Sequence, residues 1–546
     1  MIAVTAVGAL AACGAGAGVI TERAEPAAGP ATTDESDVPS TEAPIPPATL
    51  TPETGSPTTA PDDTEPGQTD PPDTEPVETD PPDSGPSSTP SESTGELEWE
   101  QLTDGVEFAM LEVPADHDRP SGDTYELFVA RRLADDQENR IGSLLVNPGG
   151  PGFGGSDFAV YGDQVYGEEL LERFDIIGWD PRGTGRSEPA VDCIDDYDRF
   201  YGEHDITPDD DAERRQIVEL AEQFATDCES RNGDVLSQIG TNDTARDMDA
   251  IRRALGEDTI SYFGFSYGSE LGATWATLFP ETVRAAVLDG ASDPNADLIE
   301  HGLQQSKGFE STLSTFLTQC SEDTTCAFHN GGDTEAAFDE LMASLDEDPI
   351  PSAADRPDVN RLIAVQAVIK AMYSDSSWPQ LAQSLADAED GDGAGLLALY
   401  DSYYQRLPDG TWGNELEAFQ AISCADDEER PTVEEDDASV DQFQAVAPRI
   451  APHSTGSYFC TFFPKSDDPR VDITGSGAGP IVVIGTTGDA ATPLDSTRAM
   501  AETLEDGRLV IVTADQHTGY DVNDCVNDAV HRYLVDLEPP EAETQC

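Results

Sequence analysis

Residues 259–268, which read Thr-Ile-Ser-Tyr-Phe-Gly-Phe-Ser-Tyr-Gly, decide the fold of this chain. The first five residues are a β-rich run, and the segment Glu270–Phe279 that follows the stretch has the composition of a helix. Between the two, Ser266 is flanked by Gly264 and Gly268, two positions away on either side. A sharp strand-to-helix turn needs both glycines, because larger residues would leave no room to lift the serine hydroxyl clear of a sheet. The pattern therefore predicts a nucleophilic serine.

Apolar, β-rich runs alternate with helical stretches on both sides of this turn. The predicted strands are Gly142–Val146, Phe174–Trp179, Thr259–Phe263, Ala285–Leu288, Pro480–Ile484 and Arg508–Thr513, and the predicted helices are Asp243–Leu255, Glu270–Phe279, Asp495–Leu504 and Asn523–Leu534. Alternation of this kind predicts an α/β fold with a mostly parallel sheet and helices packed on its faces.

The alternation stops between residues 295 and 475, where helices and long loops take over. An insertion between two halves of one sheet is expected to cover the carboxyl ends of the strands, where open α/β sheets place their ligand sites. We therefore predict that residues 99–294 form the first part of the core, residues 295–475 an inserted helical cap, and residues 476–546 the last part of the core.

A nucleophilic serine requires a base, and the chain contains seven histidines. His517 directly follows a predicted strand, and it comes last in the order serine, acid, histidine that an elbow of this type demands. His531 falls inside the final predicted helix, whereas His329 and His453 fall in the predicted cap, where no strand fixes them. We therefore expect His517 to be the base.

Two aspartates are candidates for the acid that orients this histidine. Asp489 follows the strand that ends at Ile484 and precedes His517 by one helix and one strand, which is the topological distance that the fold requires. Asp289 also ends a predicted strand, but beside Gly290 it is equally well explained as a turn residue. We expect Asp489 to be the acid, with Asp289 as the alternative.

Backbone N–H groups near the serine are needed to stabilise the oxyanion that forms during acyl transfer. Tyr267, the residue after the nucleophile, is expected to supply one of them. The second is expected from the glycine-rich loop after the first central strand, where Pro151 has no N–H. Gly150 is therefore the predicted donor and Gly152 the alternative. The loop lacks the lysine of a phosphate-binding loop.

Several motifs together resemble the actinobacterial tripeptidyl aminopeptidases, which are grouped with the proline iminopeptidases of the α/β-hydrolase fold. The matching segments are Asn147–Gly155, Trp179–Ser187, Gly264–Ser269, Val287–Gly290 with Asp293-Pro294, Gly488-Asp489 with Thr492-Pro493, and the Cys525…Cys546 region. The resemblance covers roughly residues 99–546. It implies an exported serine exopeptidase or esterase with a helical cap. Similar proteins often carry a cysteine pair around the first strands, and this chain has none between Trp99 and Gly152.

The resemblance favours an aminopeptidase that releases short N-terminal peptides through Ser266, Asp489 and His517 and an acyl-enzyme, with a carboxylesterase using the same three residues as the runner-up. A lipoprotein that binds peptide without cleaving it is the third interpretation, and the complete set of Ser266, Asp489 and His517 speaks against it. An aminopeptidase must bind a free ammonium group, which requires a carboxylate partner. The segment Ile422–Asp426 resembles a family segment with an aspartate two positions after a cysteine, so Asp426 is the candidate. The alternative is a solvated acidic loop, since three more acidic residues follow it.

The composition is strongly acidic, with 110 Asp and Glu against 28 Lys and Arg and a formal net charge of −82. Such a chain repels phosphate backbones, so nucleic acid is excluded as a partner. The acidity fits either a salty habitat or a cationic substrate. We expect no cofactor and no metal, because the calcium-like segment Asp390–Gly393 lacks a third ligand and the final glutamate. Asp180–Gly183 is expected to be a structural turn.

Eight of the nine cysteines lie between residues 193 and 546, and Cys13 stands apart. An even set in an exported chain indicates disulfides, and no pair has the spacing of a zinc or redox motif. Pairing each cysteine with its neighbour (193–228, 320–326, 424–460 and 525–546) closes the shortest loops and is the expected connectivity, although the sequence leaves other pairings open.

The N-terminal segment has the features of an export signal and a stalk. Residues 1–13 end in Leu10-Ala11-Ala12-Cys13, which resembles the lipidation motif of bacterial lipoproteins, although no positive charge precedes it. Cys13 is therefore the predicted lipid anchor to a membrane, and an ordinary signal peptide is the alternative. Residues 14–98 are rich in Pro, Thr, Asp and Glu with little apolar content, so we expect a disordered stalk. Both interpretations place the enzyme outside the cytoplasm.

Overall fold

The computed structural model describes residues 97–208, 210–451, 458 and 460–546. The predicted signal segment, Cys13, nearly all of the predicted stalk and His453 lie outside the described residues, and those predictions stay untested.

In the described part of the chain, ten strands form one sheet. They are β1 Glu100–Thr103, β2 Val106–Pro114, β3 Thr124–Arg132, β4 Gly142–Asn147, β5 Phe174–Trp179, β6 Ile260–Phe265, β7 Val283–Asp289, β8 Ile481–Thr486, β9 Gly507–Val512 and β10 Glu543–Gln545. Their order across the sheet is β1-β2-β3-β5-β4-β6-β7-β8-β9-β10. The pairs β1/β2, β2/β3 and β3/β5 are antiparallel, and the remaining neighbours are parallel. The predicted mostly parallel sheet is confirmed.

The described α-helices surround this sheet or follow one another between β7 and β8. They are α1 Ser156–Val160, α2 Gly162–Val165, α3 Glu168–Arg173, α4 Tyr197–Tyr201, α5 Asp211–Asn232, α6 Thr241–Ala254, α7 Tyr267–Leu278, α8 Leu298–Glu322, α9 Thr334–Glu347, α10 Arg361–Met372, α11 Trp378–Glu389, α12 Ala394–Tyr403, α13 Glu415–Asp426, α14 Val433–Val446, α15 Leu494–Thr503 and α16 Asp524–Asp536.

The central strands are buried on both faces because helices cover the sheet from both sides. Every residue of β4, β5, β6 and β8 is buried, which explains why these strands are continuous apolar runs in the sequence. Successive residues supply opposite faces: Leu145 and Tyr262 belong to one hydrophobic core, whereas Leu144 and Phe263 belong to the other. At the antiparallel edge, β2 has exposed positions between buried ones.

Helices α8 to α14 lie between β7 and β8 in the sequence, in the region where we predicted a cap. Helix α5 also contacts this group, although it precedes the elbow and falls within the predicted core. The Arg214 guanidinium pairs with the carboxylate of Asp437 on α14, and the rings of Phe224 and Phe463 lie 6.1 Å apart. The group of helices opposite the sheet therefore draws on two separate stretches of sequence.

All four expected disulfides are present: Cys193–Cys228, Cys320–Cys326, Cys424–Cys460 and Cys525–Cys546. Each closes a loop of between 6 and 36 residues within one region of the fold. None of the described helices is both long enough and apolar enough to span a membrane.

Candidate active site

The turn between β6 and α7 holds Ser266 in a backbone conformation that most residues avoid. Its φ is 55° and its ψ is −128°, and it stands immediately before the first residue of α7. A Cβ atom at Gly264 would lie 2.2 Å from the carbonyl oxygen of Gly268, and one at Gly268 would lie 2.9 Å from the carbonyl oxygen of Asn147. Both glycines are therefore required sterically, as the sequence predicted for an elbow.

Neighbouring strand ends bring the elbow close to His517. The Ser266 N–H donates to the Asp289 carbonyl oxygen at 2.7 Å, which ties the elbow to the end of β7. The next residue, Gly290, lies against the imidazole, since a Cβ there would be 2.9 Å from His517 Cε1. Ser266 and His517, which are 251 positions apart in the chain, thus both contact the segment Asp289-Gly290.

The histidine and the predicted acid form a buried pair. His517 Nδ1 lies 2.9 Å from each carboxylate oxygen of Asp489, and both side chains are inaccessible to solvent. Burial lowers the pKa of His517, but the adjoining Asp489 carboxylate more than compensates, so the pKa lies above its ordinary value. Among the described residues His517 Nε2 has no hydrogen-bond partner, which leaves this nitrogen available for proton transfer.

Three donors from the loop after β8 fix the Asp489 carboxylate. The Ala491 and Thr492 N–H groups donate to Oδ1 at 2.9 and 2.8 Å, and the Thr492 hydroxyl donates to Oδ2 at 2.9 Å. The same hydroxyl lies 3.2 Å from His517 Nδ1. No sequence motif assigned Thr492 to this role, although the Thr492-Pro493 pair belongs to the family pattern.

Asp289, the alternative acid, contacts the backbone of the histidine loop instead of the imidazole nitrogens. Its two carboxylate oxygens accept the N–H groups of Gly519 and Tyr520 at 2.7 and 2.8 Å. Burial raises its pKa to about 7, against the lowering effect of these two N–H donors. The hydrogen bonds to the ring thus favour Asp489 as the acid, and Asp289 holds the loop on which His517 lies.

The glycine-rich loop after β4 approaches the nucleophile closely. A Cβ at Gly149 would lie 2.8 Å from Ser266 Cβ and 3.1 Å from the Tyr267 nitrogen. Gly150 and Tyr267 line one cavity together with Ser266. Gly152, the alternative donor, packs against α13, because a Cβ there would lie 2.3 Å from the carbonyl oxygen of Glu415. The structure therefore groups Gly150 with the elbow and places Gly152 beside the inserted helices.

The cavity at the nucleophile has a volume of about 400 Å3 and lies between the core and the inserted helices. Its core side is formed by the glycine loop, the elbow and the segment after β7. Its other side comes from α8, α13, α14 and the segment that contains Arg470. Six carboxylate residues line it: Glu270, Asp293, Asp297, Asp426, Asp427 and Asp436. Among the described residues that line it, Arg470 is the one lysine or arginine. The charge of the lining favours a cationic group.

Asp426 lies at the last position of α13 and lines the same cavity as Ser266. Its carboxylate accepts the Thr241 N–H at 2.6 Å and the Thr241 hydroxyl at 2.5 Å. The Thr241 hydroxyl is in turn hydrogen-bonded to the phenol of Tyr267, the residue after the nucleophile. Burial raises the pKa of Asp426 to about 7, although the two Thr241 donors lower it. Asp426 is thus a hydrogen-bonded residue of the cavity wall and not a solvated loop residue.

A second carboxylate, Glu270 on α7, faces this cavity and was not predicted. It pairs with the Arg470 guanidinium at 2.8 Å and accepts the Ser292 hydroxyl at 3.0 Å. Arg470 also donates its backbone N–H to the Asp426 carbonyl oxygen at 3.0 Å. The sequence offers no motif for these contacts, because they join three separate segments.

The remaining candidate residues lie elsewhere in the fold. His531 Nε2 contacts the Tyr520 hydroxyl at 2.9 Å, and His329 Nδ1 contacts the Cys320 carbonyl oxygen at 3.0 Å. Arg182, in the predicted structural turn, is fully buried and pairs with Asp247 at 2.7 Å. Among the described residues no cluster of three or more His, Cys, Asp or Glu side chains is arranged to hold a metal ion.

Comparison with known proteins agrees with this geometry. Residues 142–330 match the family model described as the alpha/beta hydrolase fold, and residues 451–546 match the model described as TAP-like protein. The chain is 34% identical over 472 residues to the serine protease Hip1 of Mycobacterium tuberculosis, which covers 82% of this chain and 88% of that protein.

Two further relatives carry different enzyme names. Carboxylesterase B of Mycobacterium tuberculosis is 35% identical over 460 residues, covering 80% of this chain and 86% of that protein. The tripeptidyl aminopeptidase of Streptomyces lividans is 28% identical over 475 residues, covering 82% and 86%. The family resemblance read from the motifs is confirmed: the chain belongs to the serine hydrolases of the α/β-hydrolase fold that carry a tripeptidyl-aminopeptidase-like C-terminal region.

Proposed function

We propose that this enzyme is an exported aminopeptidase that releases short peptides from the free N-terminus of its substrate. The observation that carries the proposal is the acidic lining of the cavity that contains Ser266. A protonated amine in a partly enclosed site needs a carboxylate partner, and Asp426 and Glu270 both face this cavity. A hydrolase for neutral esters has no use for such a lining.

The chemistry that we propose is acyl transfer through Ser266. The Ser266 hydroxyl oxygen attacks the carbonyl carbon of the scissile peptide, and its proton passes to His517 Nε2. The imidazolium so formed is stabilised by Asp489, which accepts the Nδ1 proton in a hydrogen bond. The negative oxygen of the tetrahedral intermediate is stabilised by the N–H groups of Tyr267 and Gly150.

Collapse of this intermediate breaks the carbon–nitrogen bond, and the proton on His517 moves to the departing amine. Water then attacks the acyl-enzyme with His517 again acting as the base, and the acid product leaves with Ser266 restored. The buried Nε2 without a partner is consistent with a site that closes its hydrogen bond to the serine only when substrate is bound.

Carboxylesterase activity is the second candidate, and the 35% identity to a protein named carboxylesterase B is the observation that favours it. The fold and the three candidate residues serve ester and amide hydrolysis equally well. The two functions differ in what the cavity must recognise, because only a peptidase of this type needs to bind a free amine.

Three matched substrates separate the two functions: a tripeptidyl anilide with a free amine, its N-acetylated form, and a small neutral ester. An aminopeptidase is expected to show a kcat/KM at least about 10-fold higher for the free-amine anilide than for the acetylated one, as loss of one charge-assisted contact implies. Equal values for both anilides, with a faster ester, would contradict the aminopeptidase and support the esterase.

Export is supported by the four disulfides, since such bonds persist in oxidising compartments. We further propose that Cys13 is lipidated and holds the enzyme at a membrane, with the acidic segment 14–98 as a stalk. Replacement by Cys13→Ser is expected to move the enzyme from the membrane fraction to the soluble fraction. Equal membrane association of the variant and the wild type would contradict the anchor.

A further inference from the structure

The inserted helices reach the loop that carries His517. Residues 373–375, which lie between α10 and α11, run antiparallel to residues 515–517 and form a β-bridge with them. The His517 N–H donates to the Tyr373 carbonyl oxygen at 2.8 Å, and a second backbone hydrogen bond of 3.1 Å joins the other ends of the two segments. The loop of the proposed base is therefore fastened to the inserted region.

The side chain of Tyr373 also packs against the imidazole of His517. The two ring centroids lie 5.6 Å apart, and the ring planes make an angle of 79°, which is an edge-to-face contact. Elsewhere the imidazole meets Asp489 at Nδ1 and Gly290 at Cε1. A hydrogen bond at one ring atom leaves the ring free to tilt about that atom. The direction in which Nε2 points therefore depends on the groups that pack against the ring.

One turn of α8 supports both Tyr373 and the loop of the proposed acid. The ring of Phe309, which is 4% exposed, lies 5.6 Å from the ring of Tyr373. The preceding residue, Gly308, lies so close to the loop after β8 that a Cβ atom there would be 2.3 Å from the Ala490 carbonyl oxygen. Tyr373 is thus backed by a helix that is itself fixed against this loop, and close packing gives its ring a defined position.

Packing decides the direction of His517 Nε2, because no hydrogen bond from the described residues fixes this nitrogen. In the proposed reaction the same nitrogen must accept the proton of Ser266, so its direction matters for the rate. Tyr373 is not among the described residues that line the cavity at Ser266. Any effect of Tyr373 on the reaction must therefore pass through His517.

We propose that Tyr373 is a positioning residue, which orients the imidazole of His517 so that Nε2 points at the Ser266 hydroxyl. The inference rests on the proposed chemistry at Ser266, but it holds for a peptidase and for an esterase alike. A base that is displaced by about 1 Å slows proton transfer and leaves substrate binding unchanged. Loss of the Tyr373 ring should therefore slow the reaction of every substrate by a similar factor.

The test is the rate at which a fluorophosphonate probe labels Ser266 in the full chain, together with steady-state kinetics on a small neutral ester. Both reactions need the nucleophile and its base, and neither needs recognition of an amine. Tyr373→Leu, which removes the ring and keeps an apolar side chain, is expected to lower the labelling rate constant and kcat by about 10-fold each. The KM for the ester should stay within about two-fold of the wild-type value.

Two further variants isolate the contribution of the ring contact. Tyr373→Phe keeps the ring and removes only the hydroxyl, so it should be labelled within about two-fold of the wild-type rate. Phe309→Leu keeps Tyr373 and removes the ring behind it, so it should be labelled about three-fold more slowly. Phe309→Leu also keeps the inference testable if Tyr373→Leu does not fold.

The matched control is Tyr403→Leu on α12. Tyr403 is also a half-buried tyrosine of the inserted helices, and its ring makes an edge-to-face contact with Tyr404 at 5.0 Å. Each leucine variant loses one such ring contact, so the two should show a similar fall in melting temperature. Only Tyr373→Leu should be labelled slowly, and Tyr403→Leu should stay within about two-fold of the wild-type rate.

Two results would overturn this inference alone. One is labelling of Tyr373→Leu at the wild-type rate, or of Phe309→Leu at that rate if Tyr373→Leu does not fold. The other is an equal loss of rate in Tyr373→Leu and Tyr403→Leu, which would show that the loss reflects general destabilisation. Failure of the probe to label Ser266 in the wild type would instead overturn the proposed chemistry, and this inference with it.

Discussion

Two regions form the candidate active site by different means. One is the sheet edge, by which we mean the carboxyl ends of the parallel strands and the loops that follow them, and the other is the inserted helices. At the sheet edge, Ser266, His517 and Asp489 are held by backbone hydrogen bonds and by glycines packed closer than any side chain allows. On the inserted helices, the carboxylate of Asp426 is held by the Thr241 side chain and backbone, and burial raises its pKa to about 7. Carboxylates in both regions are held by backbone N–H groups and a threonine hydroxyl, whereas the glycines packed against Ser266 belong to the sheet edge.

This difference suggests a division of labour between reaction and recognition. The residues of the sheet edge are proposed to touch the reacting atoms, so changes there should affect every substrate alike. Residues of the inserted helices that line the cavity are proposed to contact the bound molecule away from the reacting atoms, so changes there should affect substrates according to their charge. Each of the following predictions tests one side of that division.

The largest effect is expected from Ser266→Ala. Loss of the nucleophile should lower kcat by at least about 10^4-fold for both the free-amine anilide and the ester, while the fold is retained. The measurement is steady-state kinetics, together with labelling by a fluorophosphonate probe and circular dichroism. Turnover near the wild-type level, or labelling of the variant, would remove Ser266 from its role.

The change Asp426→Asn tests the recognition side. It should lower kcat/KM for the free-amine anilide by about 10–100-fold, because one charge-assisted contact of about 1.5–3 kcal/mol is lost. Hydrolysis of a neutral ester should change by less than about three-fold, because an ester offers no amine to Asp426. N-acetylation of the peptide should harm the wild type far more than the variant.

Equal losses on the amine and the ester substrates would contradict this division. They would mean that Asp426 acts through Thr241 and Tyr267 on the elbow itself. Thr241→Val is the matched control, since it keeps the shape of the side chain and removes only the hydroxyl.

The change Asp289→Asn tests two effects of this carboxylate at the sheet edge. It holds the loop that carries His517, and its charge raises the pKa of His517. Loss of one acceptor for the Gly519 and Tyr520 N–H groups should lower kcat/KM by about 10-fold for all substrates. The Asp289 charge also raises the pKa of His517, so removing it should shift the acidic limb of the kcat/KM profile to lower pH. A purely structural role would lower stability and leave that limb in place.

The smallest effect on activity is expected from Glu417→Gln, which tests the contact between the inserted helices and the core by its effect on stability. Glu417, buried on α13, accepts the N–H groups of Cys193 and Ile194 from the core, and burial raises its pKa from 4.5 to about 7. Between these values the folded wild type binds more protons than the unfolded chain, so its stability falls as pH rises. The stability of the variant relative to wild type should therefore rise by about 1–3 kcal/mol across this window.

Urea unfolding of both proteins at several pH values from about 4.5 to 8 measures this difference. Above pH 7 the difference should become constant, because Glu417 is then ionised in both states. A difference that is independent of pH throughout would show that the pKa of Glu417 is the same in the folded and the unfolded protein, and would contradict this prediction.

The sequence predicted the sheet edge far better than the rest of the molecule. The parallel strands and the helices beside them were located to within a few residues, because burial on both faces produces long apolar runs bounded by glycine and proline. The elbow, His517 and Asp489 could be singled out because each directly follows such a strand. Chain order alone then placed them at one edge.

Three parts of the fold lacked a comparable signal. The antiparallel strands β1 to β3 and the short β10 are the outer strands on the two sides of the sheet, where exposed positions interrupt the apolar pattern. Helix α5 has a weakly apolar face and makes its contacts with residues more than 200 positions away. The ion pair between Glu270 and Arg470 likewise joins two distant segments, and no sequence motif near either residue predicts it.

The long stretch of chain between Ser266 and His517 also sets the timing of assembly. These two residues are separated by 251 positions, and all of helices α8 to α14 are synthesised between them. At typical rates of protein synthesis this interval lasts roughly 10 to 50 seconds. Until the segment that contains His517 has been made, the proposed nucleophile Ser266 has no base, so an incomplete chain of this enzyme is expected to be inert toward its neighbours.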